Sequence, residues 1–148
     1  MTTYKGFFKP RNANKYSGTL PIIYRSSWEL SLMRWCDNNN QVLKWGSESV
    51  IIPYYCEVDK KYHRYYPDFI VTFKNEGTYL IEIKPKQYTK APKPSSTGKL
   101  TRRYLREALE YSRNYSKWNA AKKYAEQRGY KFQVWTEDTL KVLGIPII

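Results

Sequence analysis

The chain is 148 residues long, with 41% hydrophobic and 26% charged residues, 8 Pro and 7 Gly. That is the length and composition of one globular domain, and it excludes collagen-like, coiled-coil and fully disordered chains. Lys and Arg number 26 against 13 Asp and Glu, a net charge of +13, and a surplus of that size points to a polyanionic partner, nucleic acid before any other. No apolar run approaches the roughly 18 residues that cross a bilayer, and residues 1–14 lack the apolar stretch of a secretory signal. Neither a membrane nor secretion is therefore expected.

In chain order, Met1 to Pro21 reads as an extended basic arm set before one domain over residues 22–148. The arm carries Lys5, Lys9, Arg11 and Lys15 and no acid, and its aromatics Tyr4, Phe7, Phe8 and Tyr16 predict that it docks on something. Ser26 followed by Glu29 has the capping-box spacing, and Trp28, Leu32, Trp35 and Cys36 form one apolar stripe, so a first helix starts here and ends at Asp37-Asn38-Asn39-Asn40. Three β-rich runs follow: Val50 to Tyr55, Tyr65 to Phe73 after a turn at Asp59-Lys60-Lys61, and Thr78 to Lys84 after a turn at Asn75-Glu76-Gly77. Pro85 to Lys99 is a loop of Pro, Ser, Thr and Lys. Thr101 to Gln127 is helical, with a break expected near Asn114, and Gly129 caps its end. Tyr130 to Trp135 is a buried strand, and Thr136 caps a last short helix. The order is arm, α, β-β-β, α, β, α, an α/β domain around a mixed sheet.

Two small features bear on chemistry. Cys36 and Cys56 sit among apolar neighbours with no second ligand pair in sequence, as buried reduced thiols do, and with His63 the only histidine a His-rich zinc site is excluded. Fifteen tyrosines supply faces that stack on bases and hydroxyls that reach phosphate, although most of them serve to finish a small core.

In so basic a chain the acids are informative. Asp68 lies in an apolar run, Pro67-Asp68-Phe69-Ile70-Val71, and Glu82 and Lys84 lie in the facing run, on the same side because side chains alternate along a strand. Pairing residues symmetrically about Glu76 sets Asp68 opposite Lys84, with Glu82 diagonal to both. Buried carboxylates are costly unless paired or bound to metal. Two hard oxygen donors with open positions suit Mg²⁺, and a lysine beside them can hold an attacking water and offset charge at phosphorus. The alternative is an Asp68–Lys84 ion pair with Glu82 at its rim.

Pro67-Asp68 followed by Glu82-Ile83-Lys84, with a helical glutamate before and a helix and strand after, resembles the PD-(D/E)XK nuclease superfamily. Tyr24-Arg25-Ser26-Ser27-Trp28-Glu29-Leu30, Ile52-Pro53-Tyr54 and Tyr65-Tyr66-Pro67-Asp68-Phe69 resemble in particular its branch of head completion nucleases from large tailed phages, from about residue 15 onward. The resemblance implies a restriction-endonuclease-like core of αβββαβ order, and Mg²⁺, for which Mn²⁺ can substitute, held by Asp68, Glu82 and the Ile83 carbonyl. It implies that Lys84 is the catalytic lysine and that Glu29 completes the metal site, although the capping box also accounts for Glu29.

From Lys84 to Arg106 there are eight basic residues and no acid. Lys86, Lys90, Lys93, Lys99, Arg102, Arg103 and Arg106 are therefore candidates for a DNA track, with a merely solvated loop as the alternative. The expected activity is a Mg²⁺-dependent DNA endonuclease of little sequence preference, bound through phosphates and acting in phage head completion. Portal or neck proteins are the implied partners, in the host cytoplasm or the virion. The competing expectations are a DNA-binding or portal-docking structural protein, and a junction-resolving or transposon-end nuclease.

Overall fold

The computed structural model describes residues 3–147, so Met1 and Thr2 of the arm lie outside the described residues. Strand β1 (Thr3–Phe7) is followed by β2 (Ile23–Ser26), α1 (Ser27–Asn38), β3 (Val42–Ser47), β4 (Ile52–Cys56), β5 (Lys61–Tyr65), β6 (Phe69–Phe73), β7 (Gly77–Ile83), α2 (Arg102–Arg128), β8 (Lys131–Trp135) and α3 (Glu137–Val142). The central sheet has the order β3-β6-β7-β8, antiparallel except for the parallel pairing of β7 with β8. The mixed α/β architecture expected from sequence is present.

Its strands are not all the expected ones. The run Tyr65–Phe73 is two strands, because Pro67 has no N–H for a ladder and the chain bends at Asp68. The Ile52–Cys56 run does not join the central sheet. It pairs with Lys61–Tyr65 as a separate hairpin, turned by Lys60 at φ 56°, whose amide donates to the Cys56 carbonyl at 2.8 Å. The place of that run in the central sheet is taken, at the edge next to β6, by Val42–Ser47, which lacks a period-2 pattern: Leu43 and Lys44 are exposed, and Gly46 is crossed so closely that a Cβ would lie 3.0 Å from the Ser17 carbonyl oxygen.

The sheet has an apolar layer on each face. Val71, Ile81 and Ile83 pack with Trp28, Leu32, Met33 and Cys36 of α1, while Leu80 packs with Ile52 and Tyr54 of the hairpin and with Ala121 and Ala125 of α2. Each such fully buried aliphatic side chain stabilises by about 1.5–3 kcal/mol. Helix α1 starts at Ser26, whose Oγ accepts from the Glu29 amide at 3.2 Å. Helix α2 begins at Thr101, runs unbroken through Asn114 and ends at Gly129, φ 71°. The expected break is absent because Asn114 is buried within the helix rather than turning the chain. The first half of α2 leaves Leu105 and Leu109 exposed; only its second half covers the sheet.

The basic arm is folded back on the body. Strand β1 pairs with β2, Phe8 and Tyr16 set their rings edge-on to Trp45, and the carboxylate of Asp37 accepts from the amides of Arg11 at 2.8 Å and Asn12 at 3.0 Å. Asp37, 2% exposed, is thus the anchor of the arm as well as a helix-ending residue. Among the described residues no helix is long and apolar enough to cross a membrane.

Candidate active site

The β6–β7 hairpin decides where the acids meet. Its turn residues are 74–76, and Gly77 opens β7 at φ 81°, a left-handed value that favours glycine and closes the strands at Phe73↔Gly77. The register is therefore centred on Asn75, not Glu76: Phe69 pairs with Ile81, and one step beyond the ladder Asp68 comes opposite Glu82 instead of Lys84. The two registers differ by two residues, which preserves side-chain parity. Glu82 and Asp68 thus share a face as expected, while the partner of Lys84 changes: its ammonium lies 3.7 Å from Glu82 Oε2, and no Asp68–Lys84 ion pair is present among the described residues.

Asp68 instead turns one oxygen inward, Oδ2 accepting from the Ile83 amide at 2.8 Å. The Lys84 amide donates to the Trp135 carbonyl at 3.0 Å, so the even residues of β7 bond to β8 and the odd ones to β6. Opposite Ile83 the register places Pro67, which has no N–H. The Ile83 carbonyl is thereby left without a main-chain donor from β6, while its own amide is satisfied by Asp68.

Glu29, at the start of α1, adds its charge to Asp68. Asp68 is pushed well above the ordinary carboxylate range, first by burial and then by the charges of Glu82 and Glu29, against the pull of the Ile83 amide and Lys84. Glu82 is raised by burial, opposed by the Tyr65 hydroxyl, Lys84 and Lys117. Burial also raises Glu29, with Glu48 adding repulsion, although Glu29 still bonds the Ser26 hydroxyl at 3.2 Å. Asp68, carrying the repulsion of Glu82 and Glu29, together with those acids and the Ile83 carbonyl opposite Pro67 offers hard oxygen donors, a set that fits a divalent cation. A second group, at the β4–β5 tip, is of different chemistry. Cys56, Asp59 and His63 have ligand atoms within 4.8 Å of one another, a proximity their spacing did not suggest, and His63 Nε2 lies 2.6 Å from Asp59 Oδ2. Both cysteines are free and buried, as expected.

Comparison with known proteins identifies the family. Residues 39–137 match the family described as TnsA-like endonuclease N terminal. The chain is also 41% identical over 144 residues to the head completion nuclease of Enterobacteria phage T4, covering 95% of this chain and 96% of that one. The chain belongs to the TnsA-like endonuclease family. It is a nuclease with a restriction-endonuclease-like core, and the matched span contains the Asp68, Glu82 and Lys84 cluster.

Around the cluster of this endonuclease the basic residues divide into two groups. Lys86 is engaged with Asp138 at 3.0 Å and Arg103 with Glu107 at 2.9 Å, while Lys90, Lys93, Lys99, Arg102 and Arg106 have no acid within ion-pair distance among the described residues. A groove of about 490 Å³ between this loop and α2 is lined by Lys84, Lys90, Arg103, Arg106, Glu110 and Asn114. It leads away from Lys84.

Sequence reasoning missed three residues at the site. The Tyr65 hydroxyl donates to Glu82 Oε1 at 2.6 Å. The Lys117 ammonium lies 5.9 Å from the centre of the Tyr65 ring. Glu48, at φ 49°, donates its amide to the Asp68 carbonyl at 3.1 Å and faces Arg25 at 3.5 Å. Tyr65 had one weak signal, its place two residues before Pro67, but it was one tyrosine among fifteen. Lys117 and Glu48 had none, since neither stands at a spacing that ties it to the motif.

Proposed function

We propose that this nuclease is a divalent-metal-dependent DNA endonuclease with little sequence preference, in which Asp68, Glu82 and the Ile83 carbonyl hold Mg²⁺ (or Mn²⁺) and Glu29 completes the set. The observation that carries this reading is a buried Asp68 whose ionised form is disfavoured by the charges of Glu82 and Glu29, set beside the Ile83 carbonyl opposite Pro67. An internal ion pair has no use for that surplus of negative charge.

When bound, the cation supplies a water acidic enough to attack and a Lewis acid for the phosphate oxygens. The chain's own residues do the rest. Lys84, held at 3.7 Å from Glu82, orients the attacking water and offsets charge as it develops on the phosphate. Lys90, Lys93, Lys99, Arg102 and Arg106, with the basic residues of the docked arm, receive the DNA backbone. Contacts of this kind read phosphate and shape, and no base-reading motif is present in the sequence.

The similarity to a phage head completion nuclease supports a role on packaged DNA when a filled head is prepared for its tail. Portal or neck proteins are then the docking partners, and the place is the host cytoplasm during assembly and the virion afterwards. The test is supercoiled plasmid incubated with purified protein in Mg²⁺, in Mn²⁺ and in EDTA. Nicked and linear products in both metals and none in EDTA are expected; equal cutting in EDTA, or none in either metal, refutes the proposal.

A further inference from the structure

Two groups from outside the motif act on Glu82, a hydroxyl and an ammonium. Tyr65 ends β5 on the separate hairpin, and Lys117 sits in the covering half of α2; β7 brings Glu82 between them. The Tyr65 side chain is 5% exposed, and its hydroxyl, 2.6 Å from Oε1, fixes the carboxylate while Lys84 stands at Oε2. Lys117 is half-buried, lies over the Tyr65 ring at 5.9 Å and has no carboxylate within ion-pair distance among the described residues. A half-buried ammonium near Glu82 but bonded to no carboxylate among the described residues keeps donors for a further anion. A nucleic-acid phosphate at the site would supply one.

From these contacts we infer that Lys117 is a phosphate-binding residue of the site and that Tyr65 is a positioning residue, which orients Glu82 toward the metal and carries Lys117 on its ring. This rests on the reading of Asp68 and Glu82 as metal ligands. It adds to the motif two groups from other elements, one for the DNA and one for the carboxylate. It also gives the β4–β5 hairpin a purpose: its last residue braces the site.

The experiment uses the full chain and readouts that need no cleavage. For Tyr65→Phe, thermal melting is followed against Mg²⁺. Loss of a hydrogen bond to a ligating carboxylate is expected to raise the Mg²⁺ concentration at the midpoint of the stabilisation about tenfold or more, with binding of a short labelled duplex in EDTA unchanged. A lower melting temperature with an unmoved Mg²⁺ midpoint means a merely structural hydroxyl and overturns the positioning role. For Lys117→Met, duplex binding by anisotropy across a KCl series in EDTA is expected to lose about 0.9 from the log–log salt slope, and Lys117→Arg to restore it. An unchanged slope in Lys117→Met overturns the phosphate role. If wild type shows no Mg²⁺-dependent stabilisation at all, the metal reading itself fails and the Tyr65 role falls with it, while the Lys117 role is still decided by the salt slope.

Discussion

Replacing Asp68 by Asn keeps the shape of the side chain, and its amide oxygen can still accept from the Ile83 amide, the contact now made at 2.8 Å. What changes is charge. Without metal, the three carboxylates of Glu29, Asp68 and Glu82 face Lys84 and Lys117, and the substitution removes one negative charge from a set in which the dominant influences on Asp68 are burial and repulsion. A like unit charge about 6 Å away costs roughly 3 kcal/mol at an effective dielectric of 20. The attraction to Lys84 that is lost with it returns part of this, so a net gain on the order of 1–2 kcal/mol is expected. In a chain of this size that is about 2–8 °C in melting temperature. Asp68→Asn should therefore melt higher than wild type in EDTA, lose the stabilisation by Mg²⁺, and nick plasmid at least about 10³-fold more slowly, a barrier increase of roughly 4 kcal/mol. Calorimetry in EDTA and in Mg²⁺, beside the nicking assay, reads all three. A variant that melts several degrees lower in EDTA would mean that Asp68 stabilises the fold as an ion-pair partner, and the metal-ligand assignment would be refuted.

The same groups give a pH dependence. Because burial and mutual repulsion raise Asp68 in the folded state, that state holds its proton longer than the unfolded chain, so stability is lost as pH rises from the unfolded value of about 4 through the folded one. In EDTA the melting advantage of Asp68→Asn over wild type should widen from acid toward neutral pH; a gap constant with pH speaks against the shift. Changing Lys90, Lys93 and Lys99 together to Ala should weaken binding equally on unrelated duplexes and flatten the salt slope by up to about 0.9 per lysine, measured by anisotropy; an unaltered slope means that the loop is only solvated. Asp37→Ala removes the acceptor of the Arg11 and Asn12 amides and should cost roughly 2–4 kcal/mol by urea unfolding, with early proteolytic cleavage within residues 8–16; protection equal to wild type would show that β1 and the rings on Trp45 hold the arm unaided.

Some of this protein was legible along the chain because the physics that sets it is local. Ser26 and Thr136 cap the helices they were expected to cap, Gly129 ends α2 in the left-handed conformation, and the face shared by Glu82 and Lys84 follows from strand alternation alone. The common face of Asp68 and Glu82 survived a misplaced hairpin centre only because the error was an even number of residues. What could not be read was set by approach in space. Val42–Ser47 became the edge strand of the central sheet through its pairing with β6, although its own pattern is broken by an exposed Leu43 and a Gly46 that makes room for Ser17. The partner of Lys84, the anchoring of the arm by Asp37, and the arrival of Tyr65 and Lys117 beside Glu82 depend on how the hairpin and α2 pack over the sheet. The sequence by itself determined which residues could do chemistry, through the scarcity of acids and the Pro67-Asp68 and Glu82-Ile83-Lys84 spacing. Only the tertiary structure decided which charges stand within a few ångströms of which, because Coulomb forces and hydrogen bonds depend on separation in space, which sequence distance does not report.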